Sequence, residues 1–289
     1  MNRRNKSDCS PLLVLELPLS RQNSYRESIN MRAYTSVLLA SLAIALPASS
    51  ATQKPEIGRA ELITKDVTGT LATIARKLKT GDNIHQNEVI STAIDSEAEL
   101  VLNDETKLAV GPESRIVLDS FIYDPEKKDG EVVINAAKGA FRFITGKSAK
   151  SAYTIKTPAS TIGVRGTTFD GYIDDSGEIA LLLVDGEIDV CNTKRTCKRL
   201  KRKGYFLHIR RNGLISDPRK WDGTFMGHVG LGRAFPFIGR RLRISPRVRF
   251  RRADLYGGRL LRRGVVPRVV PRARALRRVI PRGRIKRPF

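Results

Sequence analysis

Short runs of alternating apolar and polar residues follow one another from residue 60 to residue 190. Examples are ELITKDVTGTLA, NEVISTAI, SRIVLDSFIYD and SAYTIKTP. Such alternation places apolar side chains on one face of a β-strand. Turn signals at Asp129-Gly130, Ser176-Gly177 and Asp185-Gly186 separate the runs. The pattern predicts an all-β domain, a sandwich or roll of many short strands, in which residues 69–79 are strand and loop rather than helix.

The pattern changes after residue 190. Residues 198–215, within a basic extension at 191–230 that holds the single Trp221, predict one more hairpin with basic edges. The last segment, 231–289, contains the related tetrapeptides VVPR, VVPR and VIPR. Proline at this density prevents a regular sheet or helix, so 231–289 is predicted to be a disordered Arg/Pro-rich tail.

Charge is distributed unevenly along the 289 residues, whose formal net charge is +24. Residues 51–190 carry 16 Lys and Arg against 23 Asp and Glu, whereas 231–289 carry 20 against 1. Only the C-terminal third is therefore a candidate for contact with a polyanion.

Residues 31–51, MRAYTSVLLASLAIALPASSA, have the outline of a secretory signal peptide. Arg32 precedes an apolar run, and Ser49 and Ala51 occupy the −3 and −1 positions of a cleavage site. The run is about ten residues long, too short for the roughly 20 that span a bilayer. We expect translation to start at Met31 and residues 1–30 to be a non-native or extended leader. The alternatives are a long signal peptide or a cytosolic protein with an apolar core segment here.

Two of the three cysteines, Cys191 and Cys197, lie six residues apart, and Cys9 lies far from them. Two cysteines without a nearby histidine cannot complete a zinc site. In an exported protein they predict a hairpin closed by one disulfide, with two unrelated thiols as the alternative.

One stretch, TPASTIGVRGTTFDGYI at residues 157–173, has two glycines and an arginine inside a β region. It lacks the Gly-Lys-Ser/Thr of a phosphate loop and a following helix, so a nucleotide site is not expected. The histidines, His85, His208 and His228, are scattered and have no nucleophile at a suggestive spacing. We therefore predict no enzyme activity, no cofactor and no metal.

A structural interpretation of this stretch accounts for more of its residues. Gly163 and Gly166 permit a positive φ or close approach of strands. Val164 and Phe169 are expected to point into a core. We expect Arg165 to be a buried clamp that donates to carbonyls or a carboxylate, and the alternative is a solvated arginine on a loop.

The same stretch resembles the signature of the FecR domain, a periplasmic module of all-β architecture. The resemblance extends over roughly residues 67–190 and rests on the Gly-Asp turn, the strand NEVISTAI, the segment LAVGPES and the motif itself. Its motif residues, with a structural or interaction role, are Thr157, Pro158, Gly163, Val164, Arg165, Gly166, Thr167 and Phe169. The family's Asp-Gly-Thr turn is replaced here by Asp104-Glu105-Thr106. Because Glu105 takes a positive φ only at a cost, we expect a different hairpin turn.

The resemblance implies a binding or sensing module of the Gram-negative envelope. Family members known as anti-sigma regulators join a cytosolic segment, one membrane helix and this domain, an arrangement that the sequence lacks. We expect an exported periplasmic module whose partner is an envelope protein or an anionic envelope polymer, without a stable transmembrane span. The alternatives are a structural protein tethered by its basic tail and an inner-membrane-anchored signalling protein. Nucleic acid is not an expected partner, because the tail has few aromatic residues for base stacking.

Overall fold

The computed structural model describes residues 54–127, 129–223, 226–227 and 229–257. The predicted leader at 1–30, the predicted signal peptide at 31–51, His228 and the last 32 residues of the chain lie outside the described residues. Sixteen strands occur in the described part: β1 (Glu56–Thr64), β2 (Val67–Leu71), β3 (Ile74–Lys77), β4 (Asn83–His85), β5 (Val89–Thr92), β6 (Glu97–Leu102), β7 (Lys107–Val110), β8 (Arg115–Asp124), β9 (Asp129–Ile144), β10 (Tyr153–Lys156), β11 (Ser160–Val164), β12 (Thr168–Ile173), β13 (Ile179–Asp185), β14 (Ile188–Asn192), β15 (Cys197–Leu200) and β16 (Phe206–Ile209). Two one-turn helices, α1 (Leu231–Ala234) and α2 (Arg252–Leu255), follow the strands.

The strands form two sheets that share β9. Sheet 1 has the order β4-β1-β6-β7-β9-β12-β13-β16. Sheet 2 has the order β3-β2-β5-β8-β9-β10-β11-β14-β15. Among the pairings between the sixteen described strands, only that of β9 with β10 is parallel. The all-β prediction is confirmed, including strands at 67–71 and 74–77 in the segment where a helix was excluded.

The long strand β9 bends from one sheet into the other. Residues 129–138 pair with β8, whereas Gly139–Ile144 pair with β12. Gly139 at the bend has φ +88°, and a Cβ there would lie 2.1 Å from Ser114 Oγ and 2.5 Å from Ser114 Cα. Ser114 Oγ accepts a hydrogen bond from Ala140 N at 3.0 Å, which holds the two crossing segments together. Glycine is therefore required at this bend both for conformation and for space.

The main hydrophobic core joins side chains of both sheets. Leu100 and Leu181 of sheet 1 and Ile116 and Ile162 of sheet 2 are fully buried in the same cluster. Four aromatic rings lie at its centre in edge or tilted contacts, with centroids 5.7–5.9 Å apart. They belong to Phe141, Phe143, Tyr153 and Phe169. Residues from two facing sheets in one cluster are the hallmark of sandwich packing.

Two turn predictions differ from the structure. Asp129 and Gly130 begin β9 instead of forming the turn, which lies at residues 125–127. The segment 198–215 is not one hairpin, because β15 pairs with β14 in sheet 2 and β16 pairs with β13 in sheet 1. The basic run at 201–203 is therefore a connection between sheets, since its residues have no apolar face to bury.

The hairpin turn between β6 and β7 also departs from the prediction, because Glu105 does adopt a positive φ of +66°. The neighbouring Asp104 is fully buried and accepts hydrogen bonds from Thr106 N at 2.9 Å and from Thr106 Oγ1 at 2.8 Å. Ser148 Oγ and Tyr153 Oη donate to the same carboxylate, each at 2.9 Å. These four bonds hold the turn and offset the strain at Glu105. Burial raises the pKa of Tyr153.

The C-terminal cover, residues 221–257 in their described part, packs on the outer face of sheet 1. Phe235 and Phe237 are buried against Ala140, Leu182 and other sheet residues in a second hydrophobic cluster. The predicted tail boundary at 231 is therefore wrong for residues 231–257, because their apolar side chains are spaced irregularly but are numerous enough to bury a face. The remainder of the predicted tail, 258–289, lies outside the described residues.

Charged groups of sheet 1 lie beneath this cover. Arg142 and Asp170 are fully buried and form a bidentate pair at 2.5 and 2.7 Å. Arg240 of the cover forms a bidentate pair with Glu97, one of its bonds at 2.8 Å. Burial raises the pKa of Asp170, and Arg142 opposes that rise. Arg142 and Asp170 thus each have an opposite charge beside them, which offsets the cost of burying both.

Across residues 54–257, as far as the structure describes them, no helix has the length and apolar character needed to cross a membrane.

Replacing Gly139 by Ala should lower the free energy of unfolding by about 3 kcal/mol or more, because the new Cβ would overlap Ser114 and the left-handed φ would be strained. Urea unfolding followed by circular dichroism measures the change. Gly163→Ala is the matched control. Its Cβ would meet nothing nearer than Asp189 O at 3.8 Å, so we expect a change of less than about 0.5 kcal/mol. Equal losses in the two variants would contradict the role assigned to the bend.

Candidate functional site

The motif at 157–169 begins with a turn that joins β10 to β11 in sheet 2. Thr157 Oγ1 accepts a hydrogen bond from Ser160 N at 3.0 Å, and Thr157 N donates to Ser160 O at 2.9 Å. Pro158 is exposed in this turn. Thr157 and Pro158 therefore shape a surface turn, because the threonine hydroxyl bonds the local backbone.

The centre of the motif carries the chain from sheet 2 to sheet 1. Residues 165–167 connect β11 to β12, and residues 186–187 make the reverse connection from β13 to β14. Thr167 Oγ1 donates to Glu187 O at 2.5 Å and accepts from Glu187 N at 3.2 Å. Gly186 has φ +80°, and a Cβ there would lie 2.4 Å from Gly166 O. The two crossing connections are thus bonded and packed against each other.

Two apolar motif residues anchor this crossing in the core, as the sequence predicted. Val164 is 1% exposed and Phe169 is fully buried. The Phe169 ring lies 5.9 Å from that of Phe141 and 5.8 Å from that of Phe143, measured between centroids. Gly166 has φ +67°, a conformation that glycine adopts without a steric penalty.

Two predictions for the motif are wrong. Gly163 has no close neighbour, so no strand approach requires a glycine there. Arg165 is not a buried clamp: its side chain is 57% exposed, and its Nε lies 3.4 Å from Asp189 Oδ2. Arg165 follows the last residue of β11, where the chain leaves the sheet and no further layer covers it. The solvated-arginine alternative describes it better.

Asp189 is shared with a second arginine, Arg199 on β15. Arg199 forms a bidentate pair with Asp189, one of its bonds at 3.0 Å, and this hydrogen bonding raises the pKa of Arg199. The antiparallel register places Asp189 directly opposite Arg199 and Cys191 directly opposite Cys197. A disulfide joins Cys191 and Cys197 across the hairpin. Register alone thus brings the ion pair and the disulfide together.

A basic groove lies beside this hairpin, lined by Arg199, Lys201, Arg202, Tyr205 and Pro218, with a volume of about 330 Å³. The high number of Lys and Arg residues here is visible in the sequence, but the groove that three of them line is visible only in the structure. Its walls come from the connection between β15 and β16 and from a proline that follows β16. Sequence reasoning missed it because it placed 198–215 in a single hairpin.

Neither of the two described histidines, His85 and His208, lines this groove. His85 Nδ1 is 3.5 Å from Glu88 Oε2, and His208 Nε2 is 2.9 Å from Glu178 Oε2. In the described part of the chain, no group of three or more His, Cys, Asp or Glu side chains could hold a metal ion.

Thr167→Val should lower the free energy of unfolding by about 1–2 kcal/mol, because it leaves the Glu187 backbone without its side-chain partner while keeping the shape of the side chain. Arg165→Ala should change it by less than about 0.5 kcal/mol, since an exposed ion pair contributes little. Urea unfolding of both variants measures the difference. A larger loss of stability in Arg165→Ala than in Thr167→Val would show that the Thr167–Glu187 hydrogen bonds do not hold the crossing.

One family model matches part of the chain. Residues 88–189 match the model of the family described as FecR protein. The chain is therefore similar to the FecR family over residues 88–189, and the predicted resemblance is confirmed. No curated protein matches the chain.

Two crystal structures of a candidate anti-sigma factor from Parabacteroides distasonis are similar to this chain. They are 16% and 15% identical in sequence, with TM-scores of 0.36 and 0.35. Each comparison covers 44% of this chain and 57% of the other, so the chain matches little more than half the length of those proteins.

Proposed function

We propose that this FecR-domain protein is an exported, non-catalytic regulatory module that binds another protein in the bacterial envelope. The observation that carries the proposal is the family match over residues 88–189, because FecR domains serve in signalling. The ligand and the partner protein are not specified by the motif. Thr157, Val164, Thr167 and Phe169 are used in the turn at 157–160 and in the sheet crossing, so they are not available to a partner.

Two features support export. The segment 31–51 has the charge, apolar length and small residues of a secretory signal peptide. The disulfide between Cys191 and Cys197 suits an oxidising compartment such as the periplasm. The structure and the sequence thus favour the same location by independent routes.

A second candidate function is attachment to anionic envelope polymers through the basic C-terminus. Residues 258–289 hold 12 Lys and Arg and no Asp or Glu. Each such cation contributes about 1 kcal/mol near an anionic surface, and salt weakens the attraction. An inner-membrane-anchored signalling protein, with 31–51 retained, is the remaining alternative.

The regulatory proposal predicts that deletion of the gene changes a defined set of transcripts and that the full chain restores them. A chain lacking residues 31–51 should not restore them, because it stays in the cytosol. The mature exported protein should begin near Thr52 and should have both Cys191 and Cys197 blocked to thiol reagents until it is reduced. RNA sequencing, N-terminal sequencing and thiol labelling provide the measurements.

Arg165→Ala is a suitable control for this experiment, because it alters the motif at an exposed position while leaving the described fold intact. It should restore the transcripts as the parent chain does. Restoration by the chain that lacks 31–51 would overturn export. An unchanged transcript profile in the deletion strain would overturn regulation, whereas a mature protein that retains 31–51 would favour the anchored alternative.

If residues 258–289 attach the protein to anionic envelope polymers, their removal should release it from envelope fractions at low salt. This cut leaves every described contact of the C-terminal cover in place, so the free energy of unfolding should stay within about 0.5 kcal/mol of that of the parent. The parent chain should be released only when salt exceeds about 0.5 M, where the screening length is only a few ångströms. Association that survives both the truncation and high salt would exclude the tether.

A further inference from the structure

The basic groove defined above lies on the folded domain, beside the sheet crossing of the motif, because its Arg199 shares Asp189 with Arg165. Its walls carry the cations Arg199, Lys201 and Arg202, and Tyr205 lines it between them and Pro218. Its volume of about 330 Å³ is at the lower end of the range of small-ligand sites. The groove is therefore large enough for one compact polar group.

Carboxylates neutralise only part of the charge around the groove. Residues 194–203 contain seven Lys and Arg and no Asp or Glu. Asp189 pairs with Arg199, Glu187 lies 3.7 Å from Lys201, and Asp217 lies 2.6 Å from Lys198. A surplus of positive charge therefore remains at this surface after the described ion pairs are formed.

Aromatic rings hold several of the remaining cations in place. The Arg202 guanidinium carbon lies 5.5 Å from the centre of the Tyr205 ring, and Lys220 Nζ lies 5.7 Å from the same centre. Lys203 Nζ lies 5.9 Å from the centre of the Phe250 ring. A cation–π contact orders a side chain without cancelling its charge, unlike an ion pair. Arg202, which lines the groove, is thus positioned for an anion before it binds, which lowers the entropic cost of binding.

We propose that this groove is a binding site for a phosphate group, the phosphomonoester of an anionic envelope molecule. A dianionic phosphate matches several cations that converge on one small volume, and a guanidinium binds it through two parallel hydrogen bonds. The Tyr205 ring already contacts two cations, so it does not serve as a stacking platform for a nucleic acid base. The source of the ligand rests on the proposed export, whereas the site itself is independent of residues 258–289.

Titration of the full mature chain with inorganic tripolyphosphate tests the proposal. Calorimetry measures the affinity, and amide chemical shifts locate the site. The double substitution Lys201→Ala/Arg202→Ala should weaken binding at the groove at least about tenfold, because it removes two charge-assisted hydrogen bonds. The largest shifts in the parent chain should fall at residues 199–205.

The matched control is Arg210→Ala/Arg211→Ala, which removes the same charge from exposed positions that do not line the groove. It should weaken binding less than about threefold, since only longer-range attraction is lost. Urea unfolding should show that both double variants remain as stable as the parent within about 0.5 kcal/mol. Basic residues at 258–289 bind equally in all variants, so they cancel in the comparison.

Two further measurements make the proposal falsifiable. Tricarballylate, a tricarboxylate, should bind about tenfold more weakly than tripolyphosphate if the groove recognises phosphate rather than charge alone. Tyr205→Leu should weaken tripolyphosphate binding severalfold, because Arg202 and Lys220 lose the ring that orders them. Equal losses in the two double variants, equal affinity for the two anions, or shifts spread evenly over all basic residues would each overturn the proposal.

Discussion

The repeated crossing of the chain between two sheets is the constraint on which the rest of this structure depends. At each crossing the backbone leaves one ladder of hydrogen bonds before it joins the other, and its polar groups need partners near the core. At the bend near Gly139, Ser114 Oγ accepts a hydrogen bond from Ala140 N. At the paired connections 165–167 and 186–187, Thr167 Oγ1 donates one to Glu187 O. Gly166 and Thr167 of the motif therefore follow from topology rather than from chemistry with a ligand.

The same architecture explains why the C-terminal cover belongs to the fold. Alternation along β6, β9 and β12 leaves charged residues such as Glu97, Arg142 and Asp170 on the outer face of sheet 1. The cover buries that face with Phe235 and Phe237 and supplies Arg240 as a partner for Glu97. The folded unit consequently extends past the matched FecR segment at 88–189 on both sides.

Sequence alternation predicted strands such as β8 and β14 because each of them buries mainly one face. Val164 and Phe169 were predictable as core residues because they are apolar side chains within a β region. Partners distant in sequence could not be predicted. Glu105 was expected to avoid a positive φ, but a turn held by Asp104, Ser148 and Tyr153 tolerates it. Residues 231–257 were assigned to a disordered tail because the face that they cover is visible only once sheet 1 is assembled.

The cations of 194–203 illustrate how sequence and structure contribute differently to a candidate site. Their number is apparent from the sequence, but their availability depends on which neighbours they meet. Asp189 neutralises the charge of Arg199 in an ion pair, whereas the Tyr205 ring orders Arg202 without neutralising its charge. An aromatic neighbour favours affinity for an anion. The cation is already ordered and its charge is not neutralised, so little entropy is lost when the anion binds. Within the groove, Arg202 is therefore the cation best prepared for an anion, since an aromatic residue and not a carboxylate holds it.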